Sequence, residues 1–532
     1  MATPESIRAE MNHLSWEISQ LETEVSQRIA ELSRLKDQLR QLDDRLQAST
    51  TFPFDRLPAE LLSEIFIHST LSPLDDLDIA VTESDHIALL LTQICRHWRA
   101  VALQTPPLWA AIAFTIEGTG RGTLEAPTFQ RSAEKLDVFA HRAGACLLNV
   151  DMTVGPDLNV PAADLELFIH CFRRHAPKIH TLTVYGVDEI ALFGRRDDWD
   201  FSALTNLKLI NTLGIRRLQP TAMFASAPSL RNLSISEVPA SEVDVPWSQI
   251  VDFHGRHQSL ADFRYLLSAA KNLLSARITL TPNARFQNTT HPELVHSSLQ
   301  QLSLRECYDP EIDCLALEHF AFPALRELHL SAEDSVSREL DAPDDVLPDI
   351  LPHVPLASFL ARSPLLSTLR LKTMWSRRSF SPLYQNTHNL TSLQIVPALT
   401  PRMVETFFDE LRVLQTQSTP ALPQLSRIDL KVDVTQTASD DYYYSAHDPT
   451  AVFARVLESA AKTVSWRHAQ AESLPADAPN RPCAITSLKL VTTSYSDSVP
   501  VYRSSPALME EFEALKQSGL DLFIGAAEGR VI

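Results

Sequence analysis

A short phrase, apolar-x-x-apolar-x-apolar, recurs through most of this 532-residue chain and constrains its fold more than any other feature. It reads KIHTLTV, ALTNLKLI, SLRNLSIS, SLQQLSLRE, ALRELHLS, LLSTLRLK, NLTSLQIV, QLSRIDLK and AITSLKLV, with LLSARITL a looser copy. The last core positions are Val184, Leu209, Ile235, Leu280, Leu304, Leu330, Leu371, Ile395, Leu430 and Leu490. Steps of 24 to 26 residues link Val184 to Leu209 to Ile235, Leu280 to Leu304 to Leu330, and Leu371 to Ile395. Steps of 45, 41, 35 and 60 residues elsewhere imply insertions. Apolar residues two apart put one side of a short strand into a core. A single such strand cannot bury its apolar side, but a stack of them can, so the pattern predicts an α/β stack of strands. The first strand is expected in LLNVDMTV, near residues 147–154, after the helical run FQRSAEKLDVFAHRAG. Runs such as ADLELFIHCFRRHA and AVFARVLESAAK read as helices covering the other side of the strands.

The residues flanking the middle core position of each phrase then share the uncovered face. They are Lys208, Arg277, Arg305, Glu327, His329, Arg370, Lys372, Arg427, Asp429, Lys431 and Lys489, among Ser, Thr, Gln and Asn. Eight Lys or Arg against two acids reverses the balance of the whole chain, whose net charge is −19. Guanidinium groups offer paired donors to carboxylate and phosphate. The candidate substrate-binding set is therefore Lys208, Arg277, Arg305, His329, Arg370, Lys372, Arg427, Lys431 and Lys489, facing an acidic or phosphorylated protein. A one-residue slip of register would turn this face inside out.

The first 50 residues carry a different period. Ile7, Met11, Leu14, Ile18, Leu21, Val25, Leu32, Leu35, Leu39, Leu42 and Leu46 alternate in steps of four and three, with Arg28 the one interruption. That is a coiled-coil seam on one long helix. The helix either folds back on its own chain or pairs two copies through residues 5–48. Its flanking charges are mixed: Glu31 with Lys36 attracts between parallel helices and Glu17 with Glu22 repels.

Between these regions the chain reads FPFDRLPAELLSEIFIHSTL, an acidic stretch SPLDDLDIAVTESDH, and IALLLTQICRHWRAVALQTPPLWAAI. Pro58 suits a first helical turn. Leu61, Leu62, Ile65 and Phe66 follow at helical spacing, as do Leu90, Leu91, Ile94, Trp98 and Val101 in a second run. About 60 residues make a thin core that gains from a partner's cover.

LPxELLxEIF, then ICRxWR, then TPPLW closely resembles an F-box, in the F-box-like form common in fungi. The resemblance implies a three-helix motif that binds a Skp-type adaptor, which bridges to a cullin and the ubiquitin-transfer machinery. It assigns adaptor contact to Leu57, Pro58, Leu61, Leu62, Ile65 and Phe66, and to Ile94, Cys95, Trp98 and Trp109. Ile94 stands where Val is commoner, and the insertion after Ser72 is long. The strand phrases in turn resemble the irregular leucine-rich repeats that follow such motifs, without their regular Asn ladder.

Together these imply a coiled coil over 1–50, an F-box over 51–114, a linker over 115–127 and a repeat stack over 128–532. Loop insertions are expected near 331–356 and 435–450. The implied role is substrate recognition in an SCF-type ubiquitin ligase, and the rival is a non-catalytic scaffold acting outside the ligase.

Composition narrows the remaining classes. Net charge argues against broad binding to nucleic acid or an anionic membrane. Six scattered cysteines, Cys95, Cys146, Cys171, Cys307, Cys314 and Cys483, form no CxxC pair and suit a reducing compartment. No apolar run reaches the ~20 residues of a membrane span, and the first residues lack a signal-peptide core. An intracellular place, cytoplasmic or nuclear, is expected. GTGRG at Gly118–Gly122 lacks the strand-to-helix setting of a phosphate loop. His254 with His257, and His170 with Cys171 and His175, have no ligand set around them in sequence. Asn288 opens an NTT triplet expected to stay unmodified in such a compartment. No catalytic residues, cofactor or metal are expected, and the chain's contribution would be proximity.

Overall fold

The computed structural model describes residues 4–50, 57–70, 87–116, 128–155, 162–186, 199–211, 222–281, 293–306, 317, 319–332, 353–372, 380–413, 421–432, 449–475, 481–492, 506–526 and 529–530. The expected insertions largely lie outside these residues, as do GTGRG and Asn288. The chain divides into two compact units. One comprises residues 1–73 and 87–105, and the other comprises 74–86 and 106–532.

The first unit opens with α1 (Pro4–Thr50), one unbroken helix. Its apolar seam stays exposed from Met11 to Leu42, at 52–68% for every apolar seam residue. No described residue of this unit covers that seam. Three short helices follow: α2 (Ala59–Thr70), α3 (Ile87–Ile94) and α4 (Arg96–Leu103). Leu62 and Phe66, one turn apart on α2, are fully buried with Ala88, Leu91, Val101 and Ala102. Phe66 packs on Trp98 with ring centroids 5.0 Å apart. The Ser63 and Thr105 hydroxyls meet at 2.8 Å and tie the start of α2 to the end of α4.

The second unit is an α/β structure on one 15-stranded sheet. Its strands are β1 (Ala111–Ile116), β2 (Leu148–Val154), β3 (Ile179–Tyr185), β4 (Asn206–Ile210), β5 (Asn232–Ser236), β6 (Asp252–Gln258) and β7 (Ser275–Leu280). They continue with β9 (Gln301–Glu306), β11 (Glu327–Ala332), β12 (Thr368–Lys372), β13 (Ser392–Leu399), β14 (Arg427–Val432), β15 (Ser487–Thr492), β16 (Asp521–Ala526) and β17 (Gly529–Arg530). Each strand lies beside its predecessor and parallel to it until β17, which turns back antiparallel on β16. The short strands β8 (Leu294–Val295) and β10 (Phe320–Ala321) form a separate parallel pair.

One face of the sheet packs on helices α5 (Thr128–Ala143), α6 (Ala162–His175), α7 (Leu260–Ala269), α8 (His353–Ala361), α9 (Ser381–Asn386), α10 (Pro401–Val413), α11 (Pro449–Ser473) and α12 (Pro506–Gln517). Where helices are absent, around β4–β6, short 3-10 turns take their place. Rings stack from repeat to repeat behind the strands. Phe114 meets Phe168, Phe168 meets Phe172, Phe172 meets Phe201 and Phe201 meets Phe224, at centroid distances of 5.4 to 6.5 Å. Each such pair adds about 0.5–1.5 kcal/mol beyond its burial.

Several expectations are corrected. The first strand is β1, one repeat before the strand expected to be first. It occupies residues assigned to the end of the F-box and the start of the linker, so the strand unit begins by residue 106. The 45-residue interval from Ile235 to Leu280 is not an insertion alone, because β6 lies inside it, paired with β5 and β7. Gly255 takes the core position there: a Cβ would come within 2.7 Å of the Phe253 ring and 2.8 Å of Gln258. By contrast β11 to β12, β13 to β14 and β14 to β15 are direct neighbours across their long intervals. The insertion expected to reach residue 356 stops earlier, since α8 starts at His353.

Arg467 on α11 is fully buried. It donates to the carbonyls of Leu425, Ala421 and Leu422 at 3.1, 2.6 and 3.0 Å. Burial pulls its pKa down to about 10. Leu422 has φ +47°, a left-handed turn that the guanidinium holds from inside. Replacing Arg467 by Met removes all three hydrogen bonds and strands the Leu425 and Ala421 carbonyls, each worth about 1–3 kcal/mol, while the Leu422 carbonyl keeps the Leu425 amide at 3.1 Å. Urea unfolding of Arg467→Met is expected to lose at least ~2 kcal/mol.

Candidate functional site

Two surfaces collect the residues singled out by sequence. The first is the outer face of α2–α4. Leu61 and Ile65 are 53% and 45% exposed, and Leu90, Ile94 and Leu103 are 51%, 58% and 44% exposed. Leu62 and Phe66, from the same phrase, face inward instead. Pro58 is exposed, and Leu57 and Trp98 are half-buried. Cys95 is exposed and caps α4, its sulfur accepting the Trp98 amide at 3.4 Å. Trp109 does not share this surface. It is fully buried in the second unit, edge-on to Phe139 at 5.0 Å with the Arg142 guanidinium 4.3 Å from its ring centroid. Its assignment to partner contact is withdrawn, because no part of it is open to a partner. What remains is a set of exposed apolar side chains on a small helical unit.

The second surface is the sheet face away from the helices. Parallel in-register pairing aligns its residues in three columns. The middle column contains Asp151, Thr183, Lys208, Ser234, His254, Arg277, Ser303, His329, Arg370, Gln394, Asp429 and Lys489. Toward the strands' C-terminal ends a second column carries Arg256, Arg305, Lys372 and Lys431. Toward their N-terminal ends the third column carries Asp252, Glu327 and Asp521, with Arg427 the one base. The face is therefore polarised across the strands, with acids at one margin and bases at the centre and the other margin.

Arg427 thus stands apart from the rest of the candidate set. Lys489 is engaged too, 3.6 Å from Asp429, which also accepts from Gln394 at 2.7 Å. Arg277, Arg305 and Lys372 are exposed, Lys208, Arg370 and Lys431 are half-buried, and the buried Nε of Arg370 has no hydrogen-bond partner. Arg256 escaped the sequence reading, and His254 was weighed there only beside His257 as a metal-type spacing, because β6 lacks the leucine phrase. The HGRH run between two recognised strands was their only signal.

The field of the basic residues registers on their neighbours. Burial, then Arg277 and Lys208, hold the His254 pKa below its usual 6.5. Burial, then Arg370, do the same to His329. At the β2–β4 end, burial pushes the Asp151 carboxyl up, against a Thr183 hydrogen bond and nearby Lys208. Burial, then Asp151, raise Tyr185.

His257 Nε2 lies 3.1 Å from Glu237 Oε1, and both residues have positive φ. Asp137, Cys171 and His175 bring ligand-type atoms within 4.8 Å of one another. Arg174 is 2.5 Å and His175 2.9 Å from the Asp137 carboxylate. The His175 hydrogen bond holds that carboxyl below its usual range. Burial pushes the Cys171 thiol up, and it donates to the Ala133 carbonyl at 3.3 Å. A protonated thiol and a carboxylate already paired with guanidinium make a link between α5 and α6. A divalent cation there would have to displace Arg174.

Among the described residues no helix is long and apolar enough to cross a membrane. Compared with family models and with curated proteins, the chain matches none.

The sheet face predicts a pH dependence of anion binding. Folded His254 and His329 titrate below 6.5, so a carboxylate-rich peptide offered to this face should meet neutral imidazoles, and a flat affinity, above neutrality. It rises as the pH falls through their lowered values, where each histidine gains a positive charge. The same depression makes the folded protein lose stability in that range, since the unfolded chain binds those protons first. Fluorescence anisotropy with an Asp- and Glu-rich peptide, whose carboxylates stay charged between about pH 5.5 and 8, should show the rise, and the His254→Gln/His329→Gln double variant should abolish it.

Proposed function

We propose that this chain is a non-catalytic recognition subunit of an SCF-type ubiquitin ligase. In this reading α2–α4 dock a Skp-type adaptor as an F-box, and the strand repeats, of leucine-rich type, hold the target. The observation that carries it is the apolar patch of Leu61, Ile65, Leu90, Ile94 and Leu103. These side chains are held outward by a three-helix unit whose own core is filled by Leu62, Phe66 and Leu91. Fully covering a Leu or Ile is worth about 1.5–3 kcal/mol, and these are about half covered already, so a partner stands to gain roughly half of that at each.

The sheet face supports the second half. Its middle and C-terminal columns offer the acidic or phosphorylated segment of a target the bases Lys208, Arg256, Arg277, Arg305, Arg370 and Lys372. Bidentate guanidinium recognition suits that chemistry better than a general apolar groove. No residue of the chain need touch the reacting lysine. The work of the subunit is to hold the target close to a ubiquitin-loaded enzyme supplied by its partners.

The test is co-purification of the full chain with a Skp-type adaptor and a cullin. Leu61→Asp/Ile65→Asp, both on the outer face, is expected to keep its circular dichroism and to weaken adaptor binding by about 100-fold. An intact chain that captures no adaptor overturns the reading. Adaptor without cullin would favour a scaffold outside the ligase. On the sheet, Arg305→Glu/Arg370→Glu/Lys372→Glu should abolish capture of an acidic or phosphorylated target, whereas Arg427→Glu should reduce it much less.

A further inference from the structure

The exposed seam of α1 is unused by any role given above. From Met11 to Leu42 it is an apolar stripe broken by one charge, Arg28. The four-three spacing sets Met11, Ile18, Val25, Leu32 and Leu39 at a positions, and Leu14, Leu21, Arg28, Leu35 and Leu42 at d positions. We propose that α1 pairs with α1 of a second copy of this chain, that the two run antiparallel, and that Arg28 sets this orientation.

A parallel in-register pair places Arg28 against the partner's Arg28 in one layer of an otherwise apolar seam. Two like charges then share a site from which water is largely excluded. The antiparallel pair avoids this and keeps full overlap. Met11 then meets the partner's Leu42, Leu14 the partner's Leu39, Ile18 the partner's Leu35 and Leu21 the partner's Leu32. Arg28 meets the partner's Val25. Because Arg28 and Val25 straddle the middle of the seam, the two-fold axis falls between them and separates the two guanidinium groups. A surface hollow lies at this place, lined by Leu21, Glu24, Val25, Arg28, Ile29 and Leu32. It gives the partner's Val25 a hole to enter, in the manner of knobs and holes.

The charges beside the seam agree. Glu24 and Glu31 occupy g positions, which face each other across an antiparallel pair. Left alone, Glu24 and the partner's Glu31 would repel. Arg28 already lies 3.3 Å from Glu31 of its own helix, and the antiparallel register brings the partner's Glu24 to the same guanidinium. Each guanidinium is thus shared by two carboxylates, one from each copy. The parallel alternative gains Glu31 against the partner's Lys36, an exposed pair of small worth. It also brings Glu17 against the partner's Glu22, a like-charge pair by position.

Sedimentation of the full chain at micromolar concentration should give twice the 59.5 kDa chain mass. Leu21→Asp/Leu35→Asp should sediment as a monomer with its thermal midpoint unchanged, because the seam lies outside both cores. An equimolar mixture of Leu14→Cys and Leu39→Cys copies, oxidised and mapped by mass spectrometry, should join residue 14 to residue 39. Leu14→Cys alone should give no 14-to-14 link. Arg28→Leu should lower the dissociation constant at least tenfold and let the 14-to-14 link appear. A monomeric intact chain, or a 14-to-14 link with Arg28 in place, overturns the proposal.

Discussion

The strand unit depends on one constraint: neighbouring strands hydrogen-bond in parallel without slipping. Side chains alternate between faces with a period of two, so a slip of one residue would expose Leu207 and Leu209 and bury Lys208. The aromatic ladder behind the sheet opposes any such slip. Phe168, Phe172, Phe201 and Phe224 interlock across successive repeats, so one strand cannot shift without unseating the rings of the next. Pairing shifts at three places among the described strands, between Leu148 and Asn149, between Gly255 and Gln258 and between Ile395 and Ala398, where one or two extra residues bulge from one strand before parallel pairing resumes. At the second, the Gln258 side chain bonds to Ala240, Val238 and Arg256 backbone groups and ties the bulge to its surroundings.

Register also converts a scattered set of charges into a patterned surface. No single strand carries more than two bases on the open face, and the columns arise only when the strands are stacked. This is why the chain can be strongly acidic as a whole and still present a basic band. Water and salt screen the distant acids more than they screen adjacent bases on a shared, partly desolvated sheet. Burial first, and then the adjacent Arg277 or Arg370, lowers the His254 and His329 values, so the band adds to what burial already does to each imidazole.

Legibility in the sequence followed packing redundancy. Ten strands announced themselves because Leu or Ile at fixed spacing meets the same environment in every repeat. Strand β6 was hidden because Phe253 fills the space that leucine fills elsewhere, and only glycine then fits at position 255. Strand β1 was hidden because the run before it was read as the end of a helical motif, whereas Trp109 packs against α5. In the site, Lys208, Arg277, Arg305, His329, Arg370 and Lys372 could be placed from the phrase alone. Arg256 could not, since its strand was unseen. The separation of Arg427 from the others requires knowing that it begins its strand while Arg305 and Lys372 lie near the ends of theirs.

Helix α2 shows a limit of a different kind. Its run LLSEIF has apolar residues on two adjacent stripes, Leu62 with Phe66 and Leu61 with Ile65, each pair four residues apart. Helical periodicity treats the stripes alike, and chemistry hardly distinguishes them. What separates them is that three short helices pack together here among the described residues. Such a unit can enclose one stripe, and the Phe66–Trp98 contact chooses which. The second stripe is then left outside by geometry rather than by polarity. A chain under no demand to keep it would be expected to carry a charged residue there, as α2 does at the neighbouring Glu60 and Glu64. In the proposed docking role, the apolar residues at Leu61 and Ile65, each directly after one of those acids, belong to a surface that is covered part of the time.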